Sequence, residues 1–244
     1  MKVLITRPRA QSESFGKALH IAGFEPIYFP VIEIRPMENN AELDRALKNL
    51  NKYDWVVFTS VNAVDVVFGH GQPQGSPLRV AAIGPKTADA LRKHNIEPDF
   101  IPKEYVAEAI LPGLDDLRNK WVFLPRAEIA RKELPEAIVK AGGTAHEIVV
   151  YQTLPAEVDV DGLDALKSGV DVITFTSSSS VENFVAMMRQ HKLDLLNLPN
   201  NPLFACIGPV TEQAAREAGL QNIVVAREYT TDGLIQAIAN LEKP

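Results

Sequence analysis

Short apolar runs alternate with longer segments of helical periodicity along nearly the whole chain. Val3–Thr6, Phe24–Phe29, Trp55–Thr59, Val80–Ile83, Asp99–Ile101, Trp121–Leu124 and Thr144–Val150 are apolar or β-branched, and each is short enough to be one strand. Val172–Thr176, Leu203–Ile207 and Asn222–Val225 continue the series. Between them, apolar residues recur at helical spacing, as in Phe15, Leu19 and Ala22 or Leu43, Ala46, Leu47 and Leu50. Gly23 and Gly219 follow such segments, where a helix end favours a residue that tolerates positive φ. Strands that are apolar on both faces, alternating with helices, predict open parallel sheets covered on both sides: a doubly wound α/β architecture.

The pattern also occurs twice. Asp54-Trp55-Val56-Val57-Phe58-Thr59-Ser60 returns as Asp171-Val172-Ile173-Thr174-Phe175-Thr176-Ser177, and Pro8-Arg9-Ala10 returns at the same offset as Pro125-Arg126-Ala127. Ile83-Gly84-Pro85-Lys86-Thr87 returns, at a longer offset, as Ile207-Gly208-Pro209-Val210-Thr211. The polar stretch His191–Pro202 accommodates the difference. A repeat this long predicts duplicated domains of about 120 residues rather than a solenoid. Two extended segments ending at prolines, Phe29–Pro36 and Ile148–Pro155, occupy matching places and read as a two-stranded linker. The expected division is therefore one discontinuous domain, residues 1–34 with 152–244, and one inserted domain, residues 35–151. Gly69–Pro77 reads as a surface loop. Two similar lobes imply a cleft between them, where a ligand would lie.

Composition narrows the class. The 244 residues carry a net charge of −6, 46 % apolar and 23 % charged residues, as in an ordinary globular protein. The negative charge and the lack of a Lys/Arg run argue against nucleic acid or an anionic membrane as partner. No apolar run approaches the ~20 residues of a membrane span. Met1-Lys2 leads directly into a strand, so no signal peptide is expected. The single cysteine, Cys206, lies in a strand, reads as buried packing and fits a cytoplasmic location.

Conventional catalytic signatures are missing. His20, His70, His94, His146 and His191 share no ligand spacing, and no HExxH, cysteine cluster or acidic metal box appears, so a metallohydrolase lacks its signature. Neither a GxSxG elbow nor a phosphate-binding glycine loop is present. Instead, hydroxyl and glycine residues cluster where strands turn into helices. Thr59, Ser60 and Asn62 stand at one such turn and Thr176, Ser177, Ser178, Ser179 and Ser180 at its repeat; Thr87 and Thr211 follow the two Gly-Pro turns. Each alone also reads as a helix cap. Recurring at the carboxyl ends of parallel strands, they describe an anion site of hydroxyls and backbone amides. Arg7, Arg126 and Arg131 add guanidinium groups suited to carboxylates, with surface ion pairing as the competing reading. Tyr151, on the expected crossing between lobes, offers a phenol as hydrogen-bond donor or acid, or only hinge packing. Tyr105 and Tyr229 begin equivalent helices, and Trp55 and Trp121 read as core.

In order along the chain, Ile5-Thr6-Arg7-Pro8, Phe58–Val64, Ile83–Ala88, Val150-Tyr151-Gln152-Thr153, Phe175–Ser179 and Ile207–Thr211 resemble the motifs of the uroporphyrinogen-III synthase family. The resemblance covers nearly the whole chain and rests on the ordered set. It implies two flavodoxin-like lobes joined by a two-stranded β linker. The implied reaction is dehydration and closure of hydroxymethylbilane with inversion of ring D through a spiro intermediate, with no metal or cofactor. Tyr151 matches the family tyrosine that assists hydroxyl departure, and Thr87 and Thr211 match family threonines near substrate. A monomer is expected, with transient contact to the upstream hydroxymethylbilane synthase left open. A two-lobed anion-binding sensor without catalysis and a flavin or nucleotide protein stand as rival readings.

Overall fold

The computed structural model describes residues 1–71, 79–104 and 109–240. Tyr105 and most of the expected Gly69–Pro77 loop lie outside the described residues. The elements run β1 (Lys2–Ile5), α1 (Arg9–Ile21), β2 (Glu25–Tyr28), β3 (Ile32–Pro36), α2 (Ala41–Lys48), β4 (Trp55–Phe58) and α3 (Val61–His70). Next come β5 (Arg79–Ala82), α4 (Pro85–Arg92), β6 (Trp121–Ala127), α5 (Glu133–Lys140) and β7 (Thr144–Pro155). The rest is α6 (Val160–Ser168), β8 (Val172–Phe175), α7 (Ser178–Gln190), β9 (Leu203–Cys206), α8 (Pro209–Glu217), β10 (Ile223–Val225) and α9 (Thr231–Ala239).

The chain divides into two compact units, Met1–Glu33 with Leu154–Pro244, and Ile34–Thr153. It leaves the first unit within β3 and returns to it within β7. The first unit holds a sheet of order β10-β9-β8-β1-β2, its pairs parallel. Renumbered within the unit this is 2-1-3-4-5, the flavodoxin-like order, whose strand direction of travel reverses between β1 and β8. The second unit holds β3-β7-β6-β4-β5, with β7-β6-β4-β5 parallel. There the reversal falls between β6 and β4. Ligands on such sheets bind beyond the carboxyl ends of the strands at the reversal point.

The cores explain why the strands are apolar throughout. Along β1 and β8, Leu4, Ile173 and Phe175 pack into one cluster and Val3, Ile5 and Val172 into another. In β4, Val56 and Phe58 face one side while Trp55 and Val57 face the other. Period-2 alternation thus divides apolar residues between two buried faces rather than between core and water. At the end of α1, the N–H of Gly23 bonds the carbonyl of His20 and that of Phe24 bonds Leu19, closing a Schellman motif with Gly23 at φ 88°. Gly219, at φ 84°, does the same after α8.

Three expectations differ from the structure. Asp99–Ile101 is not a strand: only Phe100 bridges to Ala81, and Pro98 and Pro102 bracket a segment too short to extend the ladder. Thr144–Val150 and Ile148–Pro155 are one continuous 12-residue strand. Trp55 is core, but Trp121 is 47 % exposed. As the first residue of β6 it lies at the amino end of the sheet, its ring edge-on to Tyr53 and His146.

Candidate functional site

In the second unit the reversal point lies between β4 and β6, and the residues beyond it come from three adjacent strand ends. Ser60 follows β4 and is the N-cap of α3; its extended backbone (φ −156°, ψ 152°) lets its oxygen accept the Ala63 N–H at 3.1 Å. Tyr151, in β7, is 6 % exposed, and its phenol meets Ser60 Oγ at 3.1 Å. Because β6 stands between β7 and β4, this bond spans the carboxyl end of β6.

A β-bulge makes that reach possible. Arg126 pairs with Val149 but Ala127 pairs with Tyr151, so Val150 is an extra residue in β7. In a regular strand Tyr151 would face away from Ile148 and Val150. With the extra residue, all three join the same apolar cluster, beneath the face of α3 formed by Ala63, Val64 and Val67. Bulges commonly re-aim one side chain in this way.

Thr59 and Asn62 flank Ser60, both half-buried. Thr87 is buried, at the third position of α4. Gly84 caps that helix with extended backbone and no side-chain bond, and Pro85 occupies the first turn. First-turn N–H groups without a side-chain cap are the groups that receive anions.

Arg126 is positioned differently from the carboxylate-facing role expected of it. Its side chain is 9 % exposed, and its guanidinium is bonded to Glu147 and to the carbonyl of Arg131. Glu147 also holds Lys132, at 2.9 Å. Arg131 therefore contributes a backbone acceptor, while its side chain is on the exposed loop before α5.

The first unit repeats the turns with different side-chain wiring. Ser177 caps α7, and Ser180 closes a capping box: each side chain bonds the other's backbone N–H, at 3.1 and 3.2 Å. Ser179 Oγ lies 3.0 Å from Ser177 Oγ, and Ser178 opens the helix, half-buried. Gly208 repeats the extended backbone of Gly84 within a degree, Pro209 stands in the first turn as Pro85 does, and Thr211 is buried at the third helix position. Arg7 leaves β1, the neighbour of β8 across the reversal. Its Nη2 donates to Gln11 at 3.2 Å, while its Nε is buried without a partner. Burial pulls the Arg7 guanidinium below its ordinary pKa. An ionised group left partly unsatisfied at a strand end is suited to an incoming carboxylate. Tyr229, 63 % exposed, precedes the cap of α9 and lies against Gly208.

Sequence reasoning missed the bulge, the Ser60–Tyr151 bond and the Arg126–Glu147 pair. It also missed a reciprocal pair beneath the first site: Thr6 Oγ1 donates to the Thr174 carbonyl (2.6 Å) and Thr174 Oγ1 to the Leu4 carbonyl (2.9 Å). The repeat departs at both positions, where the other copy has the apolar Val57 and Phe123, and that departure was the available signal. Among the described residues, no three His, Cys, Asp or Glu side chains gather as a metal site would need. No helix there is long and apolar enough to cross a membrane.

Comparison with known proteins bears on this geometry. A family model described as uroporphyrinogen-III synthase HemD matches residues 13–236. A uroporphyrinogen-III synthase of Synechococcus elongatus is 31 % identical over 246 residues, covering 97 % of this chain and 93 % of that one. A putative uroporphyrinogen-III synthase of Methanothermobacter thermautotrophicus is also 31 % identical, covering 96 % of each. Among solved structures, the Helicobacter pylori uroporphyrinogen-III synthetase aligns over 99 % of both chains with a TM-score of 0.67 at 18 % identity. A mutant Thermus thermophilus uroporphyrinogen III synthase aligns over the full length of both, with a TM-score of 0.63 at 22 % identity. At those identities the structures speak for the fold alone. The family match over most of the chain and the two sequence relatives go further: this chain belongs to the uroporphyrinogen-III synthase family.

Proposed function

We propose that this chain converts hydroxymethylbilane to uroporphyrinogen III and water, as an enzyme of tetrapyrrole biosynthesis acting in the cytoplasm as a monomer. The observation that carries the reading is the family match across residues 13–236. The strand-end turns support it. A linear tetrapyrrole with eight carboxylates needs many donors, and both units offer hydroxyls, backbone amides and, at Arg7, a guanidinium with an unsatisfied N–H.

In this reading the Tyr151 phenol gives its proton to the terminal hydroxyl as that group leaves as water. Ring A becomes an electrophilic azafulvene. Ring D attacks it through its substituted carbon, and the spiro intermediate fragments and recloses with ring D inverted. The proton released as the closed ring system regains pyrrole aromaticity restores the phenol. Proton donation of this kind contributes ~10²–10⁴-fold, and holding both ends of the substrate in register can contribute ~7–11 kcal/mol. Orientation is the larger of the two, because the linear substrate also closes unaided to the uninverted isomer.

The test supplies enzymatically generated hydroxymethylbilane, oxidises the product and separates the porphyrin isomers. Isomer III in excess is the expected outcome. Isomer I alone would refute the reading and favour an anion-binding protein without catalysis.

A further inference from the structure

Resting on that reading, we propose that Ser60 is a positioning residue that orients the Tyr151 phenol for proton donation, rather than a ligand of substrate. Three observations place it there. Ser60 Oγ lies 3.1 Å from the Tyr151 phenol oxygen and accepts the Ala63 N–H at 3.1 Å. The bulge at Val150 turns Tyr151 towards this cap against the strand's own alternation. The repeat copy is wired otherwise: Ser180 at the third helix position bonds back to the Ser177 backbone, whereas Ala63 has no side-chain donor or acceptor with which to do so.

Either oxygen can donate in this bond, and the proposal assigns the proton to Ser60: its oxygen takes the Ala63 N–H at a positive helix end, and its O–H is directed at the phenol oxygen. Tyr151 keeps its own proton free for the leaving hydroxyl. As that proton departs, the bond from Ser60 becomes charge-assisted and roughly doubles in strength. The run from the Ala63 N–H through the Ser60 O–H to the Tyr151 oxygen polarises in one direction. The Ser60 contribution is thus larger in the transition state than in the ground state, and it acts only through the phenol.

A double-substitution cycle tests this. Ser60→Gly keeps an acceptable cap and removes the hydroxyl. It is expected to lower kcat about tenfold with KM unchanged, the loss of one strengthened hydrogen bond. Ser60→Thr restores most of the rate. On a Tyr151→Phe background, Ser60→Gly changes kcat by less than about twofold, since the group it serves is gone. Equal losses on both backgrounds, or a rise in KM alone, overturn the proposal. A readout independent of turnover accompanies the cycle: the ring Cζ resonance of carbon-13-labelled Tyr151 shifts in Ser60→Gly and returns in Ser60→Thr. An unmoved resonance also overturns it. Isomer I alone from the unsubstituted protein sinks the cyclisation itself, and this proposal with it. Isomer III with additive losses sinks this proposal only.

Discussion

Replacing Glu147 by Gln separates two roles for Arg126. The Arg126 side chain is 9 % exposed and its partner Glu147 27 %. Removing one member of a fully buried pair costs ~3–5 kcal/mol, whereas exposed pairs are worth ~0–1 kcal/mol. Here the guanidinium is nearly dry but keeps the Arg131 carbonyl, and the glutamine oxygen can still accept. The expected loss for Glu147→Gln is therefore about 2 kcal/mol, between those limits. The reverse change is milder. Arg126→Met removes the buried cation together with its desolvation cost, and Glu147 retains Lys132 at 2.9 Å and contact with water. A loss of about 1 kcal/mol or less is expected.

Urea unfolding followed by tryptophan fluorescence measures this cleanly, since the only two tryptophans, Trp55 and Trp121, are both in the Ile34–Thr153 unit that contains the pair. The order of the two losses is the decisive result. Arg126→Met costing more than Glu147→Gln, or Glu147→Gln within about 0.5 kcal/mol of the parent, refutes the buried-pair argument. Isomer III production by Arg126→Met at near-parental KM would then confine Arg126 to the scaffold. A large rise in KM without loss of stability would return it to substrate binding.

Further outcomes follow from single residues. Tyr151→Phe lowers kcat by up to ~10²–10⁴-fold without abolishing isomer III, because orientation survives; full turnover in that variant reduces Tyr151 to packing. Cys206 is inert in the native protein: burial, aided by Glu212, pushes its thiol up to about 12, so an aromatic disulfide reagent at pH 8.5 labels it only after denaturation. The raised value also gives a sign: stability from the buried neutral thiol is intact below its ordinary value near 9.0 and is lost as pH climbs toward 12, measurable as an alkaline fall in Tm that Cys206→Ala lessens. Gly162→Ala places a methyl 2.6 Å from the Tyr28 carbonyl and 2.7 Å from the Phe29 ring, so α6 must shift from β2; about 1–3 kcal/mol of stability should be lost in thermal unfolding, and an unchanged Tm refutes the close contact.

How much of this was readable before the fold was known depends on the range of the interaction. Strand existence and the doubly wound class were legible because they rest on local patterns: Val56-Val57-Phe58 and Val172-Ile173 are apolar at every position, which only a sheet buried on both faces requires. The hydroxyl turns were legible for the same reason, since Ser60 and Ser177 must end a strand and begin a helix within two residues. The partner of Arg126 was not legible because Glu147 belongs to the next strand in space, and neither sequence spacing nor charge pattern pairs residues across a parallel crossover. Trp121 was misjudged because an aromatic at a strand start reads the same whether the strand end is covered or open.

The bulge in β7 is the most consequential of the hidden features. Ile148, Val149, Val150 and Tyr151 form an unbroken apolar run, so periodicity assigns Tyr151 the face opposite Ile148 and Val150. Only the register against β6, which skips from Val149 to Tyr151, reverses that assignment. A strand can be recognised from its own residues, but the direction of its side chains past a bulge is set by the neighbour it pairs with. The residue of greatest chemical interest in this unit therefore stands where the local signal points the wrong way. Straightening the strand by deleting Val150 would turn the phenol away from Ser60 while leaving both residues in the chain.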